Sequence, residues 1–203
     1  MEPFRSVRGG GARAWLAAAE ASLLRSLVGQ IMSLVEPESP ADYRADYPAD
    51  DPAEGSAHDR ADDRDEGLAA LEAMVHEPGA EKISDDPVLA RLLPDAYPDD
   101  PEAAGEFRKY TEPALRTAKH QAAQEMLDTL PDAGGRIQLT QDQALSWLKA
   151  LNDVRLALGV RLGVTEEFEE QWGRLKPDDP QWTAFEVYAW LGAVQESLVQ
   201  ALN

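Results

Sequence analysis

Residues 140–162 read TQDQALSWLKALNDVRLALGVRL, and this stretch decides the fold class. Apolar residues recur every three or four positions along it, which is the spacing of one face of an α-helix. Thr140 and Gln143 form a capping box, in which each side chain bonds the backbone N–H of the other residue, so the helix begins there. Gly159 and Gly163 mark its end. A long amphipathic helix of this kind favours a helical bundle.

The same periodicity predicts helices on both sides of this segment. Before it, a first amphipathic helix runs from Trp15 to about Val35. Aspartate caps free N–H groups and proline is tolerated at the first helical position, so an Asp-Asp-Pro tripeptide marks a helix start. Such tripeptides in the ordered part of the chain predict helices that begin near Pro87, Pro101 and Pro180.

Three details qualify this helical pattern. The helix from Pro101 is expected to bend or restart at Pro113, where Thr111 can act as a new cap. A short helix is predicted over residues 67–75. Another short helix, rich in acidic residues, is predicted over residues 166–172.

A minor β element accompanies the helices. The chain from Pro3 to Trp15 alternates weakly and is interrupted by three glycines at 9–11, which predicts a short hairpin. The segment from Arg136 to Leu139 alternates in the same way and is expected to pair with that hairpin. The fold class is therefore mainly α: a helical bundle with a short β-hairpin and one further strand.

The length of 203 residues predicts a single domain over residues 1–203. Residues 36–66 differ in composition from the rest, with twelve acidic residues, three arginines and almost no large aliphatic residues. Such a segment cannot bury enough apolar surface to offset the entropy lost on ordering. We therefore predict a disordered acidic loop at 36–66, inserted within the domain.

Charge and composition exclude several classes of function. The chain has 38 acidic and 19 basic residues, a net charge of −19, which disfavours direct binding to nucleic acid or to an anionic membrane. It contains no cysteine, and no signal peptide or membrane span is evident, so a cytoplasmic protein is expected. The three histidines are scattered and no catalytic arrangement is present. We expect a non-enzymatic protein without cofactor or metal.

One candidate site lies on the central helix. Helical spacing places Asn152 and Arg155 on a stripe with Leu148 and Leu162, where they interrupt an otherwise apolar face. A buried arginine needs a partner, because an uncompensated buried charge costs several kcal/mol. An internal salt bridge satisfies this need. The alternative is a small-anion pocket, or a cryptic enzyme site, with Arg155 as the clamp.

Other candidate contacts lie outside that helix. Arg108, Arg116 and Lys119, together with Lys109, form the main basic cluster, which is either a surface ion-pair network or a contact for an anion or a protein partner. Four tryptophans sit among aliphatic residues and are expected in the core: Trp15, Trp147, Trp182 and Trp190. Trp172 lies on a polar helix, so we expect it to be exposed and to serve as an interface anchor.

Two runs of sequence support a family resemblance. RLLPDAY at residues 91–97, followed by DPE at 100–102, and LNDVRLALG at residues 151–159 resemble an actinobacterial family of unknown function. Its members include AosR-like oxidative-stress regulators and are often encoded beside the gene for the Clp-protease adaptor ClpS. The resemblance implies regulation by protein contact, with a sigma factor or a Clp-associated component as the partner. It also implies a cysteine-pair switch in redox-responsive members, which this cysteine-free chain cannot form.

Overall fold

The computed structural model describes residues 1–37, 86–97, 99–176, 178–179 and 181–203. The predicted acidic loop at 36–66 lies outside these residues except for Glu36 and Pro37. The predicted helix over residues 67–75 also lies outside them. Within the described residues the chain folds mainly as α-helices with a small antiparallel sheet, which confirms the predicted fold class.

The sheet has three strands in the order β1-β2-β3: β1 (Glu2–Ser6), β2 (Ala12–Leu16) and β3 (Gly135–Leu139). Both neighbouring pairs are antiparallel, and the predicted hairpin and its pairing with the segment from Arg136 to Leu139 are confirmed. Gly9, Gly10 and Gly11 connect β1 to β2 with φ values of 94°, 95° and 91°, a region that glycine enters readily. A Cβ atom on Gly11 would overlap the carbonyl oxygen of Leu139 on β3, so only glycine fits there.

The first helix, α1 (Ala18–Leu34), begins three residues later than predicted because Trp15 belongs to β2. Strand alternation turns Ala12, Ala14 and Leu16 toward the core, so the side chain of Trp15 faces outward and is 47% exposed. The prediction that Trp15 lies in the core is therefore wrong.

The next two helices begin at the predicted Asp-Pro signals. In α2 (Pro87–Leu92), the Asp86 carboxylate accepts a hydrogen bond of 2.8 Å from the Val88 N–H. In α3 (Pro101–Thr129), Asp100 accepts one of 3.1 Å from the Ala103 N–H. These bonds satisfy backbone N–H groups of the first helical turn, which have no carbonyl partner within the helix.

Of the predicted bend or restart at Pro113, the restart is wrong, because α3 is continuous through this residue. The Thr111 hydroxyl donates to the Phe107 carbonyl at 3.0 Å and does not cap a new helix. Pro113 lies on the exposed side of α3, where water can satisfy the Lys109 carbonyl that the missing proline N–H leaves free.

The central helix is α4 (Gln141–Arg161), and it packs against α1, α2, α3 and the sheet. Its capping box is confirmed: the Gln143 N–H donates to Thr140 Oγ1 at 3.2 Å and the Thr140 N–H donates to Gln143 Oε1 at 3.0 Å. Trp147 on this helix is fully buried and meets Phe4 of β1 edge-on, with ring centroids 5.7 Å apart. Its indole N–H donates to Thr129 Oγ1 at 2.7 Å. The side chain of Trp147 therefore links β1, α3 and α4.

Two further helices complete the described fold, α5 (Phe168–Arg174) and α6 (Trp182–Leu202). The second begins just after Pro180, which lies outside the described residues. It packs against α4 and against β1, where the Phe4 N–H donates to Ser197 Oγ at 3.3 Å. Among the helices of the described residues, none combines the length and the apolarity that crossing a membrane requires.

Candidate functional site

The N-terminal part of α3 takes little part in the core. Between Glu102 and Ala118 only Ala104 and Arg116 are buried, whereas the rest of the helix anchors the bundle through Ala122, Ala123 and Met126. We call residues 102–118 the projecting half of α3. Within the described residues, most side chains of this segment are therefore free of the core.

Large apolar side chains cluster on this segment and the loop before it. Tyr110 is 84% exposed, and Phe107 and Leu115 are also exposed on the projecting half. Tyr97 is exposed in the preceding loop and meets Phe107 edge-on, with ring centroids 5.8 Å apart. Together these are four of the seven large apolar side chains that are exposed in the described part of the chain.

Two of the predicted basic residues belong to one ion-pair network. Arg108 donates hydrogen bonds to the Asp95 carboxylate, which raises the pKa of its guanidinium, and it also lies 3.8 Å from Glu112. Arg116 is only 5% exposed; it donates to Glu112 at 2.7 Å and to the Leu34 carbonyl at the end of α1 at 3.3 Å. Each guanidinium is thus matched by a carboxylate, so this network is not a free anion site.

The network lies along a groove of about 410 Å³ on the projecting half of α3. A smaller groove of about 290 Å³ separates this helix from α2, and it shares Arg108, Glu112 and Arg116 with the larger one. The larger groove is lined by Pro37, Gly105, Arg108, Lys109, Glu112, Pro113, Arg116 and Thr117. Polar walls beside exposed aromatic side chains are typical of a protein contact surface.

Lys119 does not join this network. Its ammonium lies 2.6 Å from the Asp153 carboxylate on α4, and Asp153 is only 4% exposed. Burial raises the pKa of Asp153, and the hydrogen bond from Lys119 opposes that rise. Asp153 was not among the site residues predicted from the sequence. The signal for it was its spacing, three residues after Ala150 and four before Ala157, which places it on the buried face.

The structure places Asn152 and Arg155 differently from each other. Asn152 is exposed, so the prediction that it interrupts the apolar face is wrong. Arg155 is partly buried between α4 and α6, where it donates to Gln195 Oε1 at 2.7 Å and lies 5.2 Å from the Tyr188 ring centroid. Within the described residues no carboxylate oxygen lies within 4.0 Å of it, and its buried Nε has no hydrogen-bond partner.

Trp172 is not the exposed residue that was predicted. It is partly buried, and its ring packs against Phe168 and Trp182 with centroid distances of 6.0 and 5.8 Å. Its indole nitrogen is buried. The polar sequence around Trp172 did not indicate that Phe168 on the same helix and Trp182 on α6 pack against its ring.

The residues of the described ranges include no group of three or more His, Asp or Glu side chains placed to hold a metal ion. The described residues instead include two other features. One is the exposed aromatic surface on the projecting half of α3, where Arg108 and Arg116 are paired with carboxylates. The other is Arg155, which has no carboxylate partner within 4.0 Å in the described residues. Neither arrangement includes an activated nucleophile with its base.

Comparison with known proteins shows which family the chain belongs to. The model of a family described as a domain of unknown function (DUF2017) matches residues 1–202. The chain belongs to this family. The resemblance seen in the RLLPDAY and LNDVRLALG runs is thereby confirmed. No solved structure matches the chain.

Several proteins with assigned roles are similar to this DUF2017 chain. The oxidative stress regulator AosR of Mycobacterium tuberculosis strain H37Rv is 36% identical over 206 residues, which cover 94% of this chain and 81% of the relative. AosR of Mycobacterium bovis matches with the same identity and coverage. A protein of Mycobacterium leprae is 34% identical over the same length. The similar proteins are thus named as regulators of a stress response.

Proposed function

We propose that this protein is a non-enzymatic, cytoplasmic regulator that acts in a stress response by binding a protein partner. The observation that carries the proposal is the projecting half of α3, which displays Phe107, Tyr110 and Leu115 to solvent. Exposed aromatic side chains are enriched where proteins bind one another. The names of the similar proteins from Mycobacterium support a regulatory role.

The family resemblance suggests a sigma factor as the partner. The alternative that it suggests is a Clp-associated component. The chemistry of the projecting half of α3 is compatible with a helical partner. It offers apolar anchors beside Arg108 and Glu112, which can fix the orientation of a partner through charge. Direct contact with nucleic acid is not part of the proposal, because the net charge of −19 opposes it.

The test is binding of the purified full-length protein to purified sigma factors and to a ClpS-type adaptor. The double substitution Phe107→Ser and Tyr110→Ser is expected to raise the dissociation constant by about tenfold or more. The reason is that central aromatic side chains contribute most of the binding energy at an interface. Isothermal titration calorimetry measures this change directly.

Leu145→Ser is the matched control, because Leu145 is an exposed apolar residue on α4 and lies outside the projecting half of α3. Its affinity is expected to equal that of the unmodified protein. Absence of binding at micromolar concentration to every candidate would contradict the named partners. Equal weakening by the double variant and by the control would contradict the assigned surface.

A second candidate function is supported by Arg155, namely binding of a small anion such as phosphate or a carboxylate. Its guanidinium has no carboxylate partner within 4.0 Å in the described part of the chain, and its Nε is buried without an acceptor. An anion would supply the missing acceptor. Asn152 is exposed nearby on the same helix and could contribute only from the solvent side.

The anion hypothesis is tested by thermal unfolding in increasing phosphate or acetate. A site occupied at a hundredfold excess over its dissociation constant stabilises the folded state by about 2.7 kcal/mol, and this gain is expected to be absent in Arg155→Gln. Arg174→Gln, at an exposed arginine on α5, corrects for general salt effects. If phosphate or acetate raises the melting temperature of the unmodified protein, Arg155→Gln and Arg174→Gln by the same amount, Arg155 is only a structural link between α4 and α6.

A further inference from the structure

The outer face of the three-stranded sheet carries an arrangement that the sequence does not reveal. Residues directly opposite each other on neighbouring strands share a face of the sheet. Arg13 on β2 lies opposite Arg5 on β1 and opposite Gln138 on β3. Trp15 on β2 lies opposite Arg136 on β3. All five side chains are exposed, and we call them the arginine face.

The positive charges on the arginine face are not compensated within the described part of the chain. No carboxylate oxygen there lies within 4.0 Å of the guanidinium of Arg5, Arg13 or Arg136. The exposed acid on this side of the sheet is Glu2, which lies opposite Trp15 on β1. Of the other arginines in the described residues, Arg8, Arg91 and Arg155 also lack an ion pair, whereas five form one: Arg25, Arg108, Arg116, Arg161 and Arg174.

This arrangement lowers the stability of the free protein slightly. Like charges directly opposite on neighbouring strands are destabilising, and Arg5 opposite Arg13 is such a pair. The chain has twice as many acidic as basic residues, so carboxylates that could neutralise these arginines are abundant in the sequence. The uncompensated arginines around one exposed tryptophan therefore indicate a binding surface.

We propose that the arginine face binds an acidic, extended segment of a protein partner. Carboxylates of the segment accept hydrogen bonds from Arg5, Arg13 and Arg136, whose planar guanidinium groups match a carboxylate with two parallel bonds. An apolar side chain of the same segment packs on the indole ring of Trp15. This surface is separate from the projecting half of α3, and a peptide tests it without the whole partner.

An acidic peptide fits the arginine face better than a nucleic acid does. Three strands spaced about 4.8 Å apart make a face roughly 10 Å wide, and strands of five residues make it roughly 16 Å long, which accommodates four or five residues of an extended chain that runs along the strands. A nucleic acid would extend beyond this face onto a surface of net negative charge, where its phosphates are repelled. Single-stranded nucleic acid also binds on successive aromatic platforms, whereas this face offers only Trp15.

The experiment is fluorescence anisotropy with the full-length protein and a fluorescein-labelled peptide of glutamates around one central phenylalanine. Because both molecules are acidic overall, saturable binding requires a local basic surface. Arg13→Gln and Arg136→Gln are each expected to weaken binding by about tenfold, since each removes charge-assisted hydrogen bonds. Arg91→Gln and Lys149→Gln remove one positive charge at exposed sites on α2 and α4 and are expected to leave the affinity unchanged.

Folding of the variants is checked by thermal unfolding. Arg13→Gln removes the like-charge pair with Arg5, so its melting temperature is expected to equal or exceed that of the unmodified protein. The proposal is overturned if the peptide does not bind saturably, or if Arg91→Gln weakens binding as much as Arg13→Gln does. It is also overturned if labelled oligothymidylate binds more tightly than the peptide and loses affinity in the same two variants.

Discussion

Replacing Lys119 with methionine is expected to lower the free energy of unfolding by about 3 kcal/mol at neutral pH, because it leaves the Asp153 carboxylate buried without a counter-charge. In the native protein the Lys119 ammonium lies 2.6 Å from that carboxylate, and Asp153 is almost fully buried between α3 and α4. The quantity to measure is the free energy of unfolding from urea denaturation.

The loss is expected to shrink as the pH falls from 7 to about 4. Burial already raises the pKa of Asp153, and removal of Lys119 takes away the interaction that opposes this rise. A carboxyl group with a raised pKa in the folded state destabilises the fold where it is charged, and this effect disappears once it binds a proton. The variant therefore recovers relative to the unmodified protein on the acidic side of neutrality.

Two further variants make this prediction specific. Lys149→Met removes an exposed lysine from α4 and is expected to change stability by less than about 0.5 kcal/mol. The double variant Lys119→Met and Asp153→Leu removes both charges and is expected to regain most of the lost stability. A loss in Lys119→Met that stays constant with pH, or a double variant less stable than Lys119→Met, would contradict the assigned role of the pair.

Replacing Trp147 with alanine is expected to cost about 3–5 kcal/mol, as truncation of a large buried aromatic side chain does. Trp147 has no exposed surface, packs edge-on against Phe4 and donates to Thr129, so its loss opens a cavity at the junction of β1, α3 and α4. Trp147→Phe retains most of the packing and is expected to cost less than the alanine substitution.

Trp15→Ala is the control for this prediction, because it removes the same side chain from the exposed face of β2. It is expected to change the free energy of unfolding by roughly 1 kcal/mol or less. Equal losses in Trp15→Ala and Trp147→Ala would mean that Trp147 does not hold the junction together. Thermal unfolding followed by circular dichroism distinguishes the two outcomes.

Local chemistry in the sequence predicted most of the helix starts. The capping box at Thr140 and the Asp-Pro signals before α2 and α3 act through backbone groups within one turn, so they can be recognised without knowledge of the fold. The continuation of α3 through Pro113 could not be predicted from the local sequence. It depends on which side of the helix faces solvent, and that is decided by packing on α1 and α4.

The candidate site was harder to predict, because helical spacing gives the angle between side chains but not the direction of the core. The sequence placed Asn152 on the buried face of α4, whereas the buried polar residue of this helix is its neighbour Asp153. The ion pairing of Arg108 depends on Asp95 in a preceding loop. The arginine face joins strands from distant parts of the chain, and no local pattern encodes the register between them.

The contact between β1 and α6 affects how this protein is made on the ribosome. The Phe4 N–H and the Ser197 hydroxyl that accepts its hydrogen bond are 193 positions apart. At about 5–20 residues per second, translation of the intervening chain takes roughly 10–40 seconds. Throughout that interval the first strand lacks α6, the helix that packs along it, although Trp147 of α4 can meet Phe4 once α4 is made. We expect prematurely terminated chains to be cleared by proteases, so that the cellular level of this protein reflects completed rather than initiated synthesis.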